Sequence, residues 1–377
     1  MSTVMKVLVV GGGIGGLSAA IGLTQRGVDV EVAELNKEWT VYHVGIIVQA
    51  NFVRALAMLG LGDAAVQAGF PYKGLRFLDA DGSMLAELPG DPTVAAPYPA
   101  DLGLTRPALH KVLTEAMTRL EVPIRLGVTY SNIDDQGDKV VVDFTDGTRG
   151  TYDLVIGAEG AYSKMRKLVC ADAPNPEYTG QGVWRYNVPR PKDQDWLDLY
   201  IKGDRTTAGY CPLTEDTMYI MAVTEEPGNP RFPRETLAAE FRKRLEGFGG
   251  KLGKLREQVI DSNLVVYRPL EVCACPAPWH KGRIVLVGDA AHSTTPHLGQ
   301  GAAMAVEDAV VLADELASKQ STLDGALKRY MERRYERAMM IHDNSIMLGD
   351  WQMHPEKADR SQAEVTEYIR ARIAEPL

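Results

Sequence analysis

A run of glycines directly after an apolar segment constrains the fold of this chain more than any other feature. Residues 4–10 are almost entirely apolar and lead into Gly11, Gly13 and Gly16, after which a helical stretch and a second apolar segment ending in Glu34 follow. This order of strand, glycine turn, helix, strand and terminal acid is typical of a dinucleotide-binding βαβ unit. Gly11 permits the tight turn and Gly13 lets a pyrophosphate approach the backbone. Gly16 lets helix and strand pack closely, and Glu34 accepts a hydrogen bond from a ribose hydroxyl.

The segment from residue 282 to residue 308 predicts a second binding element. Residues 283–287 form a short, nearly all-apolar strand, Asp289 follows it at the sheet edge, and a helix begins in the glycine-containing turn at 296–301. Free backbone N–H groups and the positive end of the helix dipole favour an anion there. Asp289 and the helix start therefore predict a site for a polyol and an anion. The alternative is a plain strand–loop–helix crossover in which the glycines only shape a turn.

Two further segments are predicted to reach the same sheet edge. A meander of short strands over residues 124–156 leads into residues 153–160, another strand that runs into a glycine-rich turn and a helix. Arg106 begins a predicted helix, where a cation is unfavourable on dipole grounds alone. We favour contact of Arg106 with an anionic ligand over simple pairing with a carboxylate.

Charge and cysteine content limit the partners. The chain of 377 residues has a net charge of −9, which disfavours nucleic acid and anionic membranes. Its four cysteines are too few for a disulfide framework and form no zinc pattern, so we expect no metal and a reducing, cytoplasmic compartment. No apolar run reaches the ~18 residues of a membrane span, and the first residues leave no room for a secretory leader. A basic cluster over residues 328–337 is interleaved with acids and is predicted to be a solvated helix face.

With these segments together, the sequence resembles the single-component flavoprotein aromatic hydroxylases, the group that includes p-hydroxybenzoate, salicylate and urate hydroxylases. Three motifs carry the resemblance across most of the first 315 residues: GGGIGG with Glu34, DLVIGAEG at 153–160, and GDAAHSTTPHLGQGAAMAVEDA at 288–309. The resemblance implies a monooxygenase that binds FAD and uses NADH or NADPH and O2. It also implies hydroxylation of a small aromatic or N-heteroaromatic substrate (a phenol, hydroxy-heterocycle or aromatic acid) through a C4a-hydroperoxyflavin.

The resemblance also implies which positions contact FAD. The glycine turn and Glu34 hold the ADP half, Arg106 contacts the cofactor from its helix start, Tyr130 touches the adenine side through its backbone, and Asp289 binds the ribityl chain. The helix start at 299–303 faces the pyrimidine side of the flavin, where N–H groups favour the reduced anion. The full set of implied positions is Gly11, Gly13, Ile14, Gly15, Gly16, Glu34, Leu35, Gly45, Arg106, Tyr130, Asp289, Gly299, Gln300, Gly301, Ala302 and Ala303. Glu159 stands where the family usually has aspartate.

Three residues are candidates for substrate chemistry. His297 is the candidate for deprotonating the substrate hydroxyl, because an imidazole titrates near working pH; a loop histidine bonded to a neighbouring carbonyl is the alternative. Arg185 and Tyr210 are candidates for anchoring an acidic or phenolic substrate. The rival functions are another flavoprotein oxidoreductase of the same fold, such as an epoxidase, halogenase or reductase, and a non-catalytic flavin-binding redox sensor.

The predicted fold class is α/β, with a Rossmann-like FAD-binding domain that contains a β-meander, a mainly antiparallel β-sheet substrate domain, and C-terminal helices. The FAD-binding domain is discontinuous, with segments 1–71, 101–170 and 271–350. The substrate domain takes 72–100 and 171–270, and 351–377 form a C-terminal helical segment. We expect a monomer or a homodimer.

Overall fold

A computed structural model describes residues 5–203, 205–318 and 322–377; residue 4, where the first strand is predicted to begin, lies outside them. The strands of the described residues, in chain order, are β1 (Lys6–Val10), β2 (Asp29–Glu34), β3 (Gly45–Val48), β4 (Phe70–Tyr72), β5 (Gly74–Asp79), β6 (Met84–Pro89), β7 (Asp101–Thr105), β8 (Ile124–Leu126), β9 (Tyr130–Asp135), β10 (Val140–Phe144), β11 (Arg149–Tyr152), β12 (Leu154–Gly157), β13 (Glu177–Pro189), β14 (Leu197–Lys202), β15 (Thr206–Pro212), β16 (Thr217–Glu225), β17 (Val266–Ala274), β18 (His280–Lys281) and β19 (Ile284–Leu286).

The α-helices of the same residues are α1 (Ile14–Thr24), α2 (Ala50–Met58), α3 (Gly62–Ala68), α4 (Arg106–Arg119), α5 (Arg166–Val169), α6 (Leu237–Arg244), α7 (Gly250–Arg256), α8 (Asp289–His292), α9 (Gly301–Ala317), α10 (Leu323–Met353) and α11 (Gln362–Ala374). None of these helices combines the length and the apolar character needed to cross a membrane.

A six-stranded sheet brings the three glycine-rich segments together. Its order is β18-β19-β12-β1-β2-β8, and β19, β12, β1, β2 and β8 run parallel. Val10 pairs with Gly157 and Gly157 with Leu286, so the turns after β1, β12 and β19 lie side by side at one edge. The carboxyl edge of a parallel sheet is where α/β proteins bind ligands. The predicted α/β fold is confirmed.

The helix expected after β12 is a single turn, because α5 has only four residues. The preceding turn is held by the Glu159 carboxylate, which accepts hydrogen bonds from the Ser163 hydroxyl at 2.6 Å and from the Met165 N–H at 3.0 Å. The Glu159 side chain thus stabilises this turn through hydrogen bonds to residues of the turn itself.

A seven-stranded, mainly antiparallel sheet forms the second layer, in the order β17-β13-β16-β15-β14-β5-β6. Because side chains alternate along a strand, its two faces carry different residues. One face packs against α6 and α7 and includes Trp184, Tyr200 and Tyr210. The other carries Leu75 and Leu197 and turns toward the first sheet. The domain boundaries given above stay a prediction.

On α10, the prediction of a solvated basic face holds for Lys328, which is exposed, and is wrong for Arg334. Arg334 is 0% exposed and lies between two fully buried carboxylates, 2.7 Å from Glu307 and 2.8 Å from Asp308. Arg337 also pairs with Glu307 at 2.9 Å, and the other oxygen of Asp308 lies 2.7 Å from His292 Nε2. Burial raises the pKa values of both acids. Arg334 and Arg337 beside Glu307, and His292 and Arg334 beside Asp308, together more than offset it, so both pKa values lie below their usual range.

Helix α11 is fastened through the backbone carbonyls at its end. Arg54 donates to the carbonyls of Ala374 at 2.7 Å and Ile373 at 3.1 Å, and Arg337 donates to Ile373 at 2.7 Å. Arg370, on the helix, pairs with the buried Asp101 at 2.7 Å. These bonds satisfy carbonyls that a helix end leaves free and fix α11 against the rest of the chain.

Candidate functional site

A cavity of about 590 Å³ lies between the carboxyl edge of the six-stranded sheet and the second sheet. This volume is within the range of small-molecule sites. The site positions named from the sequence that line it are Gly13, Ile14, Gly15, Gly45, Arg106, Arg185, Asp289, His297, Gly299, Gln300, Gly301 and Ala302. Those that do not line it are Gly11, Gly16, Glu34, Leu35, Tyr130, Tyr210 and Ala303.

The glycines after β1 differ in what a side chain would meet. Gly11 has a φ of +111°, and a Cβ there would lie 2.3 Å from the Ala158 carbonyl oxygen. A Cβ on Gly16 would lie 2.0 Å from the Gly11 oxygen, whereas one on Gly13 would have nothing within 4 Å. Gly11 and Gly16 are therefore required by the turn, while Gly13 keeps a stretch of backbone open toward the cavity.

Glu34 lies behind this turn. Its carboxylate accepts hydrogen bonds from the N–H groups of Gly12 and Asn36, both at 2.6 Å. Trp39, which the sequence analysis did not identify, donates its indole N–H to the Gly12 oxygen at 2.9 Å. Glu34 thus lies at the turn, where contact with a ribose hydroxyl is predicted. The neighbouring Leu35 is 68% exposed.

Asp289 and Arg106 line the cavity from the first positions of α8 and α4. Burial raises the pKa of Asp289, opposed by His292 and then Arg106, and burial lowers the pKa of Arg106, opposed by Asp289. Among the described residues, the Asp289 carboxylate accepts no hydrogen bond. A carboxylate that lines a cavity without a protein donor is free to accept from the hydroxyls of a polyol.

The start of α9 provides hydrogen-bond donors, whereas Asp289 provides an acceptor. Gly299 adopts a left-handed conformation with φ +64°, and residues 299–302 line the cavity with Ala303 buried behind them. Gln49 donates to the Leu298 oxygen at 2.8 Å, and Asn51 donates to the Gln300 side chain at 2.9 Å. These two bonds hold the helix start in place, so its first N–H groups point toward the cavity as anion donors.

A long cofactor with phosphates, a polyol and a flat ring fits this arrangement, because open glycine backbone, a free carboxylate and a helix N-terminus line one cavity. Comparison with known proteins decides which cofactor. Residues 4–345 match the family described as FAD binding domain. The chain belongs to this family.

Named relatives extend the assignment. The chain is 33% identical to a 2-heptyl-3-hydroxy-4(1H)-quinolone synthase of Pseudomonas aeruginosa, over 92% of this chain and 90% of the relative. It is 32% identical to a 3-amino-4-hydroxybenzoate 2-monooxygenase of Streptomyces cremeus, over 95% and 91%. The crystal structure of Klebsiella pneumoniae HpxO with FAD and uric acid has a TM-score of 0.85 at 27% identity, over 99% and 93%. This FAD binding domain protein is a flavoprotein monooxygenase, and the predicted family and cofactor are confirmed.

Arg185 lines the same cavity from β13. It makes no hydrogen bond or ion pair with another residue of the described chain. Burial, and then the neighbouring Arg106 guanidinium, lower the pKa of Arg185 to about 10. It therefore remains a cation near neutral pH and is available to an anionic group in the cavity.

Tyr210 is not brought to the cavity. It lies on the opposite face of the same sheet, where its hydroxyl is 3.3 Å from that of Tyr200. The reason is that side chains alternate between the two faces along a strand. Tyr210 pairs with Ile220 of β16 and lies on the same face as it, whereas the adjacent Tyr219 lies on the cavity face. Tyr219 is the tyrosine that lines the site, and Gly45 allows β3 to approach its ring.

Tyr130 likewise lies outside the cavity lining, with its side chain half-buried beside Glu159. Two unpredicted residues, Gln362 and Thr366, reach the cavity from α11. No local motif marks them, so only the docking of the last helix reveals their position.

His297 lines the cavity, and each of its ring nitrogens lies beside a polar side chain. Gln352 donates through its amide to the oxygens of Arg205 at 2.9 Å and Val223 at 2.8 Å, so its own oxygen, 3.1 Å from His297 Nε2, accepts. Nε2 therefore carries the proton in the neutral ring. Nδ1 lies 2.8 Å from the Thr295 hydroxyl, whose own proton is donated to the Ser345 carbonyl at 2.9 Å. Burial lowers the pKa of His297 to about 4. The ring is therefore a weak base.

This low pKa predicts a pH-dependent contribution to stability. The folded pKa lies below the unfolded value near 6.5, so unfolding takes up a proton between these values. The stability from a neutral His297 is present above pH 6.5 and is lost as the pH falls to 4. Between pH 6.5 and pH 4, we expect the free energy of unfolding of the wild type to fall by up to about 3 kcal/mol relative to that of His297→Gln. Urea unfolding at several pH values measures it, with His354→Gln, at a partly exposed histidine, as control. A difference independent of pH would contradict the low pKa.

Proposed function

We propose that this monooxygenase hydroxylates a small aromatic or N-heteroaromatic ring that carries an ionisable hydroxyl, using O2 and NADH or NADPH. The observation that supports it is Arg185, an unpaired cation that shares one cavity with the FAD-lining residues. One relative named above is the synthase of a hydroxyquinolone, another is the monooxygenase of a hydroxybenzoate, and HpxO binds uric acid. These rings share electron-rich carbons and oxygen or nitrogen groups that ionise.

Several residues are suited to hold FAD. The glycine turn with Glu34 suits the ADP half, Asp289 the polyol, and the start of α9 the ring. Bound FAD supplies the hydride-accepting and oxygen-activating chemistry. Every other requirement falls to the chain, which must exclude water, orient the substrate ring and hold its oxygen in the ionised state.

We assign the last of these roles to Arg185. A guanidinium beside a phenolic or enolic oxygen stabilises the anion and lowers the substrate's pKa. The anion makes the ring electron-rich, which is the condition for attack by an electrophilic oxygen. With its pKa lowered to about 4 by burial, His297 is suited to shape the cavity wall more than to accept the proton.

Arg185→Gln is expected to lower kcat/KM by about 10- to 100-fold, the value of one charge-assisted hydrogen bond. The pKa of the bound substrate hydroxyl should rise, so the acidic limb of the kcat profile, which reports groups in the enzyme–substrate complex, should move to higher pH. Absorbance titration of a bound phenol measures this pKa. Arg268→Gln is the matched control, because Arg268 also lines the cavity but donates to Tyr42. An unchanged bound pKa in Arg185→Gln would rule out the assigned role.

The function itself is tested by a substrate screen. Hydroxylated aromatics and heterocycles should stimulate oxidation of NADH or NADPH and yield products heavier by one oxygen atom. Purified protein that retains FAD but shows no stimulated oxidation with any such ring would instead favour a redox sensor. The monomer or homodimer state and the cytoplasmic location stay predictions.

A further inference from the structure

One half of the cavity is aliphatic, and an aromatic ring with an ionisable group does not account for it. The second sheet contributes Leu75, Leu197, Leu199, Met221 and Val223 to the lining. Ile47 of β3 adds a further aliphatic side chain. Apolar surface of this extent stays favourable only when it is covered by apolar material.

Strand register shows how this region is arranged relative to Arg185. Leu199 pairs with Gly209, Gly209 with Met221, and Met221 with Arg185, so the four residues form one row across β14, β15, β16 and β13. Neighbouring strands are ~4.8 Å apart, which places Leu199 roughly 14 Å from Arg185. Leu75 lies one strand further along the sheet, on β5. The cavity therefore has a cationic end and an aliphatic end.

Helix α11 closes the aliphatic end. Gln362 and Thr366 line the cavity, and Ala363 packs on the cluster that contains Leu75 and Leu197. The helix is held by Arg54 and Arg337, as described above, so its position does not depend on a bound molecule. A group lying on these leucines is covered by protein and removed from water.

We propose that the substrate is amphiphilic: a hydroxylated or oxo-substituted heteroaromatic ring with an aliphatic chain. The ionisable oxygen of the ring faces Arg185, and the chain extends along Met221, Leu199 and Leu197 toward α11. This inference rests on the proposed function and narrows its substrate class. A compact polar heterocycle such as urate occupies only the cationic end and leaves the leucines uncovered.

The test measures binding to the FAD-loaded protein without nicotinamide, by isothermal titration. The probes are 4-hydroxyquinolines with methyl, propyl, pentyl and heptyl chains at carbon 2, with uric acid as the compact comparison. Each buried methylene should tighten Kd by up to about fourfold, until the chain reaches α11. A Kd independent of chain length, or tighter binding of uric acid than of the heptyl compound, would overturn the proposal.

Two variants of α11 locate the chain. Thr366→Phe should shorten the longest chain that still improves Kd, because its ring enters the aliphatic end. Tyr368→Trp, on the exposed side of the same helix, should leave the chain-length dependence unchanged. If both variants leave it unchanged, the chain does not lie beneath α11 and the proposed placement fails.

The readouts separate this inference from the proposed function. Ring hydroxylation with a Kd independent of chain length would refute the amphiphilic substrate and leave the function standing. A Kd that follows chain length, with no product heavier by one oxygen, would support the binding mode and refute the function.

Discussion

Replacing Arg334 with methionine is expected to lower the free energy of unfolding by about 3–5 kcal/mol. Glu307 and Asp308 are adjacent, fully buried carboxylates, and Arg334 contacts both. Without it, Asp308 keeps His292 and the Gly288 N–H, and Glu307 keeps Arg337 and Asn51. The lost charge leaves two like charges close together in a medium that screens them poorly. Methionine fills much of the volume of the arginine side chain, so the lost stability reports the missing charge more than a packing defect.

Urea unfolding of the FAD-loaded protein and of the apoprotein measures this effect. The matched control is Arg333→Met, one position earlier on α10, which removes a partly exposed ion pair with Glu315. That pair is expected to contribute at most about 1 kcal/mol. Equal losses for the two variants would show that Arg334 is not the counter-ion that holds the buried acids. Because the two acids have lowered pKa values, the wild-type advantage should also shrink as the pH falls below their unfolded values near 4.

The second large effect concerns FAD binding. Gly13→Val is expected to weaken FAD binding by about 100-fold or more, since side-chain atoms would occupy the space where a phosphate approaches the backbone and would cost two charge-assisted hydrogen bonds. The stability of the apoprotein should change by less than about 1 kcal/mol, because a Cβ on Gly13 meets nothing within 4 Å.

Gly16→Ala should behave in the opposite way. Its Cβ would lie 2.0 Å from the Gly11 oxygen, so strand and helix must separate and the apoprotein should lose about 1–3 kcal/mol. Flavin fluorescence titration gives the FAD Kd, and thermal unfolding of the apoprotein gives the fold effect. Similar losses of apoprotein stability in the two variants would contradict the division of roles between these glycines.

The features predicted from sequence are those fixed by local sterics. The fingerprint at residues 11–16 allows few backbone paths, and a carboxylate directly after a strand must appear at the sheet edge, so Asp289 was placed at the cavity from its position alone. The helix start at 299–302 followed from its glycines in the same way. The general fold then followed from the order of these units.

What the sequence did not reveal depends on distant partners. The face on which Tyr210 lies changes with a shift of one residue in strand register, and aromatic content does not set that register. Gln352, which fixes the tautomer of His297, is 55 residues away along the chain. Arg334 resembles a surface residue within its basic cluster because its acids lie 26 and 27 residues earlier. In each case the decisive contact exists only after packing.

The facing guanidiniums of Arg106 and Arg185 have a consequence for handling the protein. Among the described residues, one carboxylate, Asp289, acts on Arg106 and none acts on Arg185, so this part of the cavity carries surplus positive charge. Small inorganic anions will enter it, since they relieve the mutual repulsion of the arginines. Chloride from an ordinary buffer should therefore act as a competitor at the ring-binding end, and apparent affinities will depend on which salt the experimenter chooses.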